Sequence, residues 1–222
     1  MAEGSNPAGY LGGARSLTGR RWREREADVE VVRRHRLDLG LSEPLARALA
    51  SRGVAPGEGE VYLNPTLKAL FPDPSSFADM DRAAAVLVDG FLSDRPMVVF
   101  ADYDVDGASS AALLVRWFRA MGKDLPIYVP DRIAEGYGPS PAAFRRLREQ
   151  GAELVVTVDC GAAACDAIAC AAGIGLDVVV IDHHLMRDEI PACAALVNPN
   201  RADCASGQGV LAAAGVTFVL LA

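Results

Sequence analysis

The sequence lacks a hydrophobic stretch long enough to cross a bilayer. Its longest apolar run, from Val210 to Ala222, has 13 residues and includes Thr217, whereas a membrane-spanning helix needs about 20. The first residues contain Gly, Arg and Pro but no apolar segment typical of a secretory signal. Five cysteines are an odd number for a chain of 222 residues, which is long enough to build a core without disulfides. We therefore expect a cytoplasmic protein with reduced thiols.

The sequence also lacks an excess of positive charge. It has 22 Lys and Arg residues against 29 Asp and Glu residues, a net charge of −7. This excludes a uniformly basic nucleic-acid-binding protein, but not one with a local basic surface. A Gly-Lys-Ser/Thr phosphate loop is missing, and Gly173-Ile174-Gly175 lacks the third glycine of a dinucleotide-binding motif.

The first 95 residues predict an arm and a small helical region. Residues 1–25 are rich in Gly and Arg without periodicity, which predicts a flexible N-terminal arm. Residues 26–95 predict a helical lead-in with helices from Ser42 to Gly53 and from Met80 to Leu92. Three prolines between Leu63 and Phe77 indicate a connector.

From Pro96 onwards, strand-like and helix-like segments alternate. Apolar runs of strand length occur at residues 97–101, 127–129, 154–158 and 178–181, and a helix is predicted over residues 108–121. Runs of Val and Ile without polar alternation are typical of strands buried on both faces of a parallel sheet. The sequence therefore predicts an α/β domain over residues 96–222, with a doubly wound, mostly parallel sheet preceded by the lead-in.

Three of the predicted strands run directly into acidic clusters. The clusters contain Asp102, Asp104 and Asp106 after the first strand, Asp159 after the third, and Asp182, His183 and His184 after the fourth. Ligands of open parallel sheets bind at the carboxyl ends of the strands. We therefore expect five carboxylates and two imidazoles to meet at one edge.

Such a crowd of like charges is unfavourable unless a cation neutralises it. Oxygen ligands suit Mg²⁺ or Ca²⁺, and added imidazole favours Mn²⁺ or, in principle, Zn²⁺ and Fe²⁺. This many acidic ligands suggests two ions, and two ions typically serve phosphodiester or phosphoanhydride hydrolysis. An Asp after a strand is more commonly a helix cap or turn residue, but three clusters together favour ligands. The remaining histidine, His35, lies among arginines, and we expect it to be solvated.

These clusters resemble the first three motifs of the DHH phosphoesterase superfamily. The similarity is greatest to its RecJ family of single-strand-specific DNA exonucleases and extends from about residue 38 to the end. Further matching segments lie at residues 45–53, 63–65, 80–81, 132–138, 197–199 and 212–216.

The resemblance implies a role for each site residue. Metal ligands are implied at Asp104, Asp106, Asp159 and His183, with Asp102 a ligand or near neighbour and Asp159 bridging two ions. The resemblance also implies that His184 contacts the scissile phosphate and that Asp182 orients the pair, so these two are the catalytic candidates. Arg132 is implied to approach substrate phosphate, with a surface ion pair as the alternative.

The implied activity is Mn²⁺- or Mg²⁺-dependent 5′–3′ exonuclease action on single-stranded DNA in DNA repair and recombination. Single-strand-binding protein and a helicase are the implied protein partners. The family also has a fourth, later metal-binding Asp, and neither Asp188 nor Asp203 lies where that residue belongs. We therefore expect a fragment truncated on its C-terminal side, with doubtful activity by itself. Two alternatives stay open: a DHH hydrolase of short oligonucleotides, cyclic dinucleotides or pyrophosphate, and a non-catalytic truncated scaffold.

Overall fold

A computed structural model describes residues 16–20, 25–186 and 189–222. The chain divides into two compact units between Phe71 and Pro72. Most of the predicted N-terminal arm lies outside the described residues, as does Asp188. In the part of the chain that is described, no helix is both long and apolar enough to cross a membrane.

The first unit is helical and contains more helix than the sequence predicts. Its helices are α1 (Val29–Leu39), α2 (Glu43–Ala50), α3 (Gly59–Leu63) and α4 (Leu67–Leu70). The sequence predicts only α2 of these four helices, and α4 is a single turn inside the expected connector. The Asp28 side chain caps α1 by accepting from the main-chain N–H groups of Glu30 and Val31.

The prediction that His35 is solvated was wrong. His35 is 1% exposed, and its Nε2 lies 2.9 Å from the carbonyl oxygen of Val54. His35 shares one face of α1 with buried Val32, three residues earlier, whereas Arg34 and Arg36 point to solvent. Because arginines flank His35 in the sequence, the three-residue spacing between Val32 and His35 is not evident as the buried face of a helix.

The second unit is built around a five-stranded sheet in the order β2-β1-β3-β4-β5. The strands are β1 (Met97–Ala101), β2 (Ile127–Tyr128), β3 (Leu154–Val158), β4 (Asp177–Ile181) and β5 (Ala195–Val197). Every pairing between them is parallel. The apolar runs of β1, β3, β4 and β5 are almost completely buried, as expected for a sheet covered on both faces, whereas Ile127 of the edge strand β2 is exposed. The predicted α/β class is therefore confirmed, with β5 as an additional strand.

Helices cover both faces of this sheet. After a short 3-10 helix (Pro74–Ser76), they are α5 (Met80–Leu92), α6 (Val105–Ala120), α7 (Pro141–Glu149), α8 (Cys165–Gly173) and α9 (Ala213–Leu221). One face carries α7 and α8, where Phe144 and Ile168 pack with Phe100 of β1 and Val180 of β4. The opposite face carries α5, α6 and α9, which contact one another and the sheet. The domain boundary predicted at residue 96 stays a prediction.

Candidate metal centre

The strand register aligns the residues that follow the strands. Ala101, Val158, Ile181 and Val197 are consecutive partners across β1, β3, β4 and β5. The next residues continue the ladder, because the N–H groups of Asp102, Asp159 and Asp182 donate to the carbonyls of Val158, Ile181 and Val197 at 2.9–3.2 Å. Asp102, Asp159, Asp182 and Asn198 therefore lie side by side, and we call them the strand-end row. The sequence predicts three of its four members.

The first cluster lies in the turn between β1 and α6. The Asp104 carboxylate caps α6 by accepting from the N–H groups of Asp106 at 2.8 Å and Gly107 at 3.1 Å. The helix consequently begins at Val105, three residues earlier than predicted. The Gly107 hydrogen bond, together with that of Asp106, lowers the pKa of Asp104. Asp102 is only 4% exposed, and its burial raises its pKa.

Asp106, in the first turn of α6, reaches the start of α9. Its two carboxylate oxygens accept from the N–H groups of Ala213 and Ala214, each at 2.8 Å. Those amides belong to the first turn of α9, so Asp106 satisfies two donors that a helix start otherwise leaves open. The Asp106 Oδ2 atom also lies 3.5 Å from Nε2 of His183.

Asp159 lies at the centre of the site in an unusual backbone conformation. Its φ is 60°, in the left-handed region, and its side chain is buried. Burial, followed by the nearby carboxylates of Asp104 and Asp106, raises the pKa of Asp159 to about 8. Without a cation, the Asp159 carboxyl group therefore stays largely protonated near neutral pH.

Asp182 organises the main chain of the histidine pair. Its Oδ1 accepts from the N–H of His183 at 2.7 Å and of His184 at 3.2 Å, while Oδ2 accepts from Ala162 N–H at 2.9 Å. Nδ1 of His184 also lies 2.7 Å from Asp182 Oδ1. Burial alone would lower the pKa of His184, but the hydrogen bond and charge of Asp182 outweigh it and raise that pKa.

Potential ligand atoms form two groups that share Asp159; one includes His184, which was predicted to contact phosphate, and neither includes the predicted ligand Asp106. Donor atoms of Asp159, His183 and His184 lie within 4.8 Å of one another, as do those of Asp102, Asp104 and Asp159. Asp102 Oδ1 and Asp159 Oδ1 are also buried and accept no hydrogen bond within the described ranges. Such buried oxygens are costly unless a proton or a cation satisfies them. The donor set and these open oxygens fit divalent cations.

Arg132 lies in the loop after β2, at the rim of the site. Its guanidinium carbon is 5.1 Å from the ring centre of Tyr103, which lies edge-on to Tyr137. No carboxylate among residues 16–20, 25–186 and 189–222 lies within ion-pair distance of Arg132. The same loop brings Tyr137 to the centre, where its hydroxyl donates to the Asp159 carbonyl at 3.2 Å and lies 3.4 Å from Nε2 of His184.

Sequence comparison places this chain in a known family. The profile of the DHH family, N-terminal domain, matches residues 96–221, more than half of the chain. The chain belongs to the DHH family. Within it, the chain is 32% identical over 200 residues to the single-stranded-DNA-specific exonuclease RecJ of Bacillus subtilis, covering 90% of this chain and 25% of that protein. It is 37% identical over 203 residues to RecJ of Salmonella typhimurium, covering 91% and 34%.

A solved structure agrees with the sequence relatives. RecJ of Thermus thermophilus in complex with Mn²⁺ is 27% identical and superposes with a TM-score of 0.67, over 87% of this chain and 26% of that one. The chain thus spans about a quarter to a third of the length of the RecJ proteins that it matches. The predicted resemblance to the DHH superfamily and to RecJ is confirmed.

Sequence reasoning gave no role to the asparagines that follow β5. Asn198 is completely buried, and both Asn198 and Asn200 donate to main-chain carbonyls of the histidine pair. The available signal was the segment Val197-Asn198-Pro199, which contributes to the resemblance but contains no ionisable group. Asp203 pairs with Arg201 at 2.7 Å and makes no described contact with the strand-end row.

Proposed function

We propose that this chain is the metal-binding part of a phosphodiesterase that removes nucleotides from the 5′ end of single-stranded DNA in DNA repair and recombination. One observation carries the proposal: Asp159, a buried carboxylate with an open oxygen, is shared by two groups of ligand atoms. The similarity to single-stranded-DNA-specific exonucleases supports the substrate class, and the 5′–3′ direction is part of the proposal.

Mn²⁺ and Mg²⁺ fit the donor set better than softer metals. Asp102, Asp104 and Asp159 offer only oxygen atoms, and His183 adds one imidazole nitrogen. In this proposal Asp102, Asp104 and Asp159 would hold one ion. Asp159 and His183 would hold the other together with Asp106, whose Oδ2 lies 3.5 Å from Nε2 of His183, and His184 would stay free to contact phosphate. When bound, divalent cations supply Lewis acidity and lower the pKa of water.

The chain itself supplies an oriented proton donor. The hydrogen bond between Nδ1 of His184 and Asp182 leaves Nε2 facing Tyr137 at the open side of the site. Because Asp182 raises the pKa of His184, the ring keeps a proton more readily than free histidine does. The His184 imidazolium would therefore hold a phosphate oxygen, and Arg132 would add a second positive charge at the rim.

The full activity belongs to a longer protein in this proposal. The matched relatives are three to four times as long as the aligned region, and the family resemblance implies a further carboxylate ligand beyond residue 222. Association with a single-strand-binding protein and a helicase is part of the same proposal.

The test is mutation of Asp159 within the full-length protein. We expect Asp159→Ala to reduce Mn²⁺-dependent release of nucleotides from a single strand of about 30 nucleotides at least about a hundredfold. The matched control is Asp124→Ala, because Asp124 is an exposed aspartate outside the site. Near-normal metal-dependent hydrolysis by Asp159→Ala would contradict the proposal. Strands labelled at the 5′ or the 3′ end check direction, and a preference for a dinucleotide would favour a hydrolase of small substrates.

A further inference from the structure

The segment after β5 holds the histidine pair through its main chain. Nδ2 of Asn198 donates to the carbonyl of His184 at 2.9 Å, and Nδ2 of Asn200 donates to the carbonyl of His183. The backbone ladder between β4 and β5 ends with the N–H of Asp182 donating to the carbonyl of Val197. The asparagine side chains therefore replace the ladder partners that the backbone beyond β4 has lost.

We propose that Asn198 and Asn200 are positioning residues that set where the imidazole rings of His183 and His184 point. The two peptide units are held from both sides, since Asp182 accepts from their N–H groups and the asparagines donate to their carbonyls. Fixing the N–H and C=O groups of a residue fixes its φ and ψ. The direction of each side chain from the backbone is then fixed as well.

The chemistry of the amide explains why asparagine suits these positions. Only the NH₂ group can donate to a carbonyl, so an aspartate of the same shape would oppose an acceptor with an acceptor. Asn198 uses its other end too, because its Oδ1 accepts from the N–H of Asn200 at 2.8 Å. Asn198 is fully buried, and its hydrogen-bonding capacity is therefore engaged in locking this turn.

Asn200 connects the histidine pair to the start of α9. Its Nδ2 also lies 3.3 Å from the carbonyl of Gly209, in the loop that leads into that helix. A Cβ atom at Gly209 would lie 2.6 Å from Oδ1 of Asn200, so a larger residue there would displace the Asn200 side chain. The first amides of α9 bind Asp106, whose carboxylate faces His183. The main chain and the ring of His183 are therefore linked through the same elements. Asn200 binds the His183 carbonyl and the loop before α9, and the start of α9 binds Asp106, which faces the His183 ring.

The consequence for metal binding rests on the proposed function, but the positioning itself can be measured without metal. The chain has only three histidines, so a histidine-labelled protein gives three imidazole signals by NMR. His35 belongs to the first unit and is the internal control. Asn200 is only partly buried, and its replacement is therefore less disruptive than that of Asn198.

The experiment compares Asn200→Ala, Asn200→Gln and Asn64→Ala in the metal-free chain. Asn64 is a matched control whose Nδ2 bonds to the exposed Glu60. We expect Asn200→Ala to shift or double the His183 signal and leave that of His35 unchanged, and Asn200→Gln to restore part of the original spectrum. Mn²⁺ titration by calorimetry should show an approximately tenfold weaker apparent Kd for Asn200→Ala, measured well below its melting temperature.

The outcomes separate this inference from the proposed function. Unchanged His183 and His184 signals in Asn200→Ala would overturn the positioning role. Changed signals with wild-type Mn²⁺ affinity would also overturn it, because the asparagine would then be merely structural. If the wild-type chain and the full-length protein bind no Mn²⁺, the proposed function fails, whereas the changed signals still support the positioning of the rings.

Discussion

Oδ1 of Asp159 lies 3.3 Å from Nε2 of His183, although one residue follows β3 and the other follows β4. The sheet register creates this contact, because Val158 and Ile181 are partners at the ends of the two strands. The contact joins a buried carboxyl group of raised pKa to a partly exposed imidazole. The protonation state of Asp159 therefore changes the net charge at the centre of the site.

The first prediction concerns the pH dependence of stability without metal. The pKa of Asp159 is about 8 in the folded chain, against about 3.9 when unfolded. The folded state therefore binds the Asp159 proton more tightly than the unfolded state does. The stabilisation that this proton supplies is fully present below about pH 4 and is lost as the pH rises through about 8. Asp159→Asn removes the titrating group, and its melting temperature relative to wild type should rise by roughly 10 °C between pH 5 and pH 8.

Thermal melts in a chelating buffer measure this difference. Asp124→Asn, a substitution at an exposed aspartate outside the site, is the control. Added Mn²⁺ at pH 8 should stabilise the wild-type chain and not Asp159→Asn. A constant difference between Asp159→Asn and wild type at both pH values would contradict a raised pKa at Asp159.

A second prediction concerns Asp182 and the charge of His184. Asp182→Asn keeps the shape of the side chain but places an NH₂ group opposite N–H donors that bind the Asp182 carboxylate in the wild type. This opposition of donors should lower the free energy of unfolding by about 2 kcal/mol. Without the negative charge of Asp182, burial should dominate, and the pKa of His184 should fall. NMR titration of the three imidazole signals measures the pKa of His184. A His184 pKa equal to that of wild type would show that Asp182 does not hold the ring.

The acidic clusters could be predicted because the sheet is locally encoded. The strands β1, β3 and β4 consist mostly of buried apolar residues, and each is followed at once by an acidic residue. In a parallel sheet this is enough to bring the three clusters to one edge. That β1, β3 and β4 are neighbours in the sheet follows from the strand order, which the local sequence of each strand does not predict.

Other parts of the fold depend on contacts that local sequence does not show. The strand β5 has only three residues, which form a strand because they pair with Val179–Ile181 of β4. The helix α1 was missed because its arginines dominate the composition, while Val32 and His35 alone form its buried face. Asn198 was missed since its role depends on the short strand before it.

The third prediction tests Asp106 as the cap of α9. Asp106→Ala removes the acceptor for the N–H groups of Ala213 and Ala214, and we expect a loss of about 1 kcal/mol together with faster hydrogen exchange at these two amides. Asp106→Asn keeps one acceptor oxygen and should lie between Asp106→Ala and wild type. Asp166→Ala in the first turn of α8 is the control. Equal exchange rates in Asp106→Ala and wild type would exclude the cap.

The last prediction concerns the close approach of α6 to the end of β1. A Cβ atom at Gly107 would lie 2.4 Å from the carbonyl oxygen of Asp102 and 2.8 Å from its carbonyl carbon. Both are backbone atoms and cannot rotate away, so Gly107→Ala must push the helix start from the strand end. We expect a loss of about 3 kcal/mol in urea unfolding. Mn²⁺ should also bind more weakly, because Asp102 and Asp104 lie on the two sides of the displaced turn.

Gly173→Ala is the matched control for this substitution. Gly173 ends α8, and a Cβ atom there meets no heavy atom within 4 Å. Its replacement should leave Mn²⁺ binding unchanged and be neutral or stabilising by up to about 1 kcal/mol, since alanine has less backbone entropy to lose. If Gly107→Ala and Gly173→Ala have the same free energy of unfolding in urea and the same affinity for Mn²⁺, then α6 does not start against the backbone of Asp102. The position of Asp104 relative to Asp159 would then have to be set by contacts other than this one.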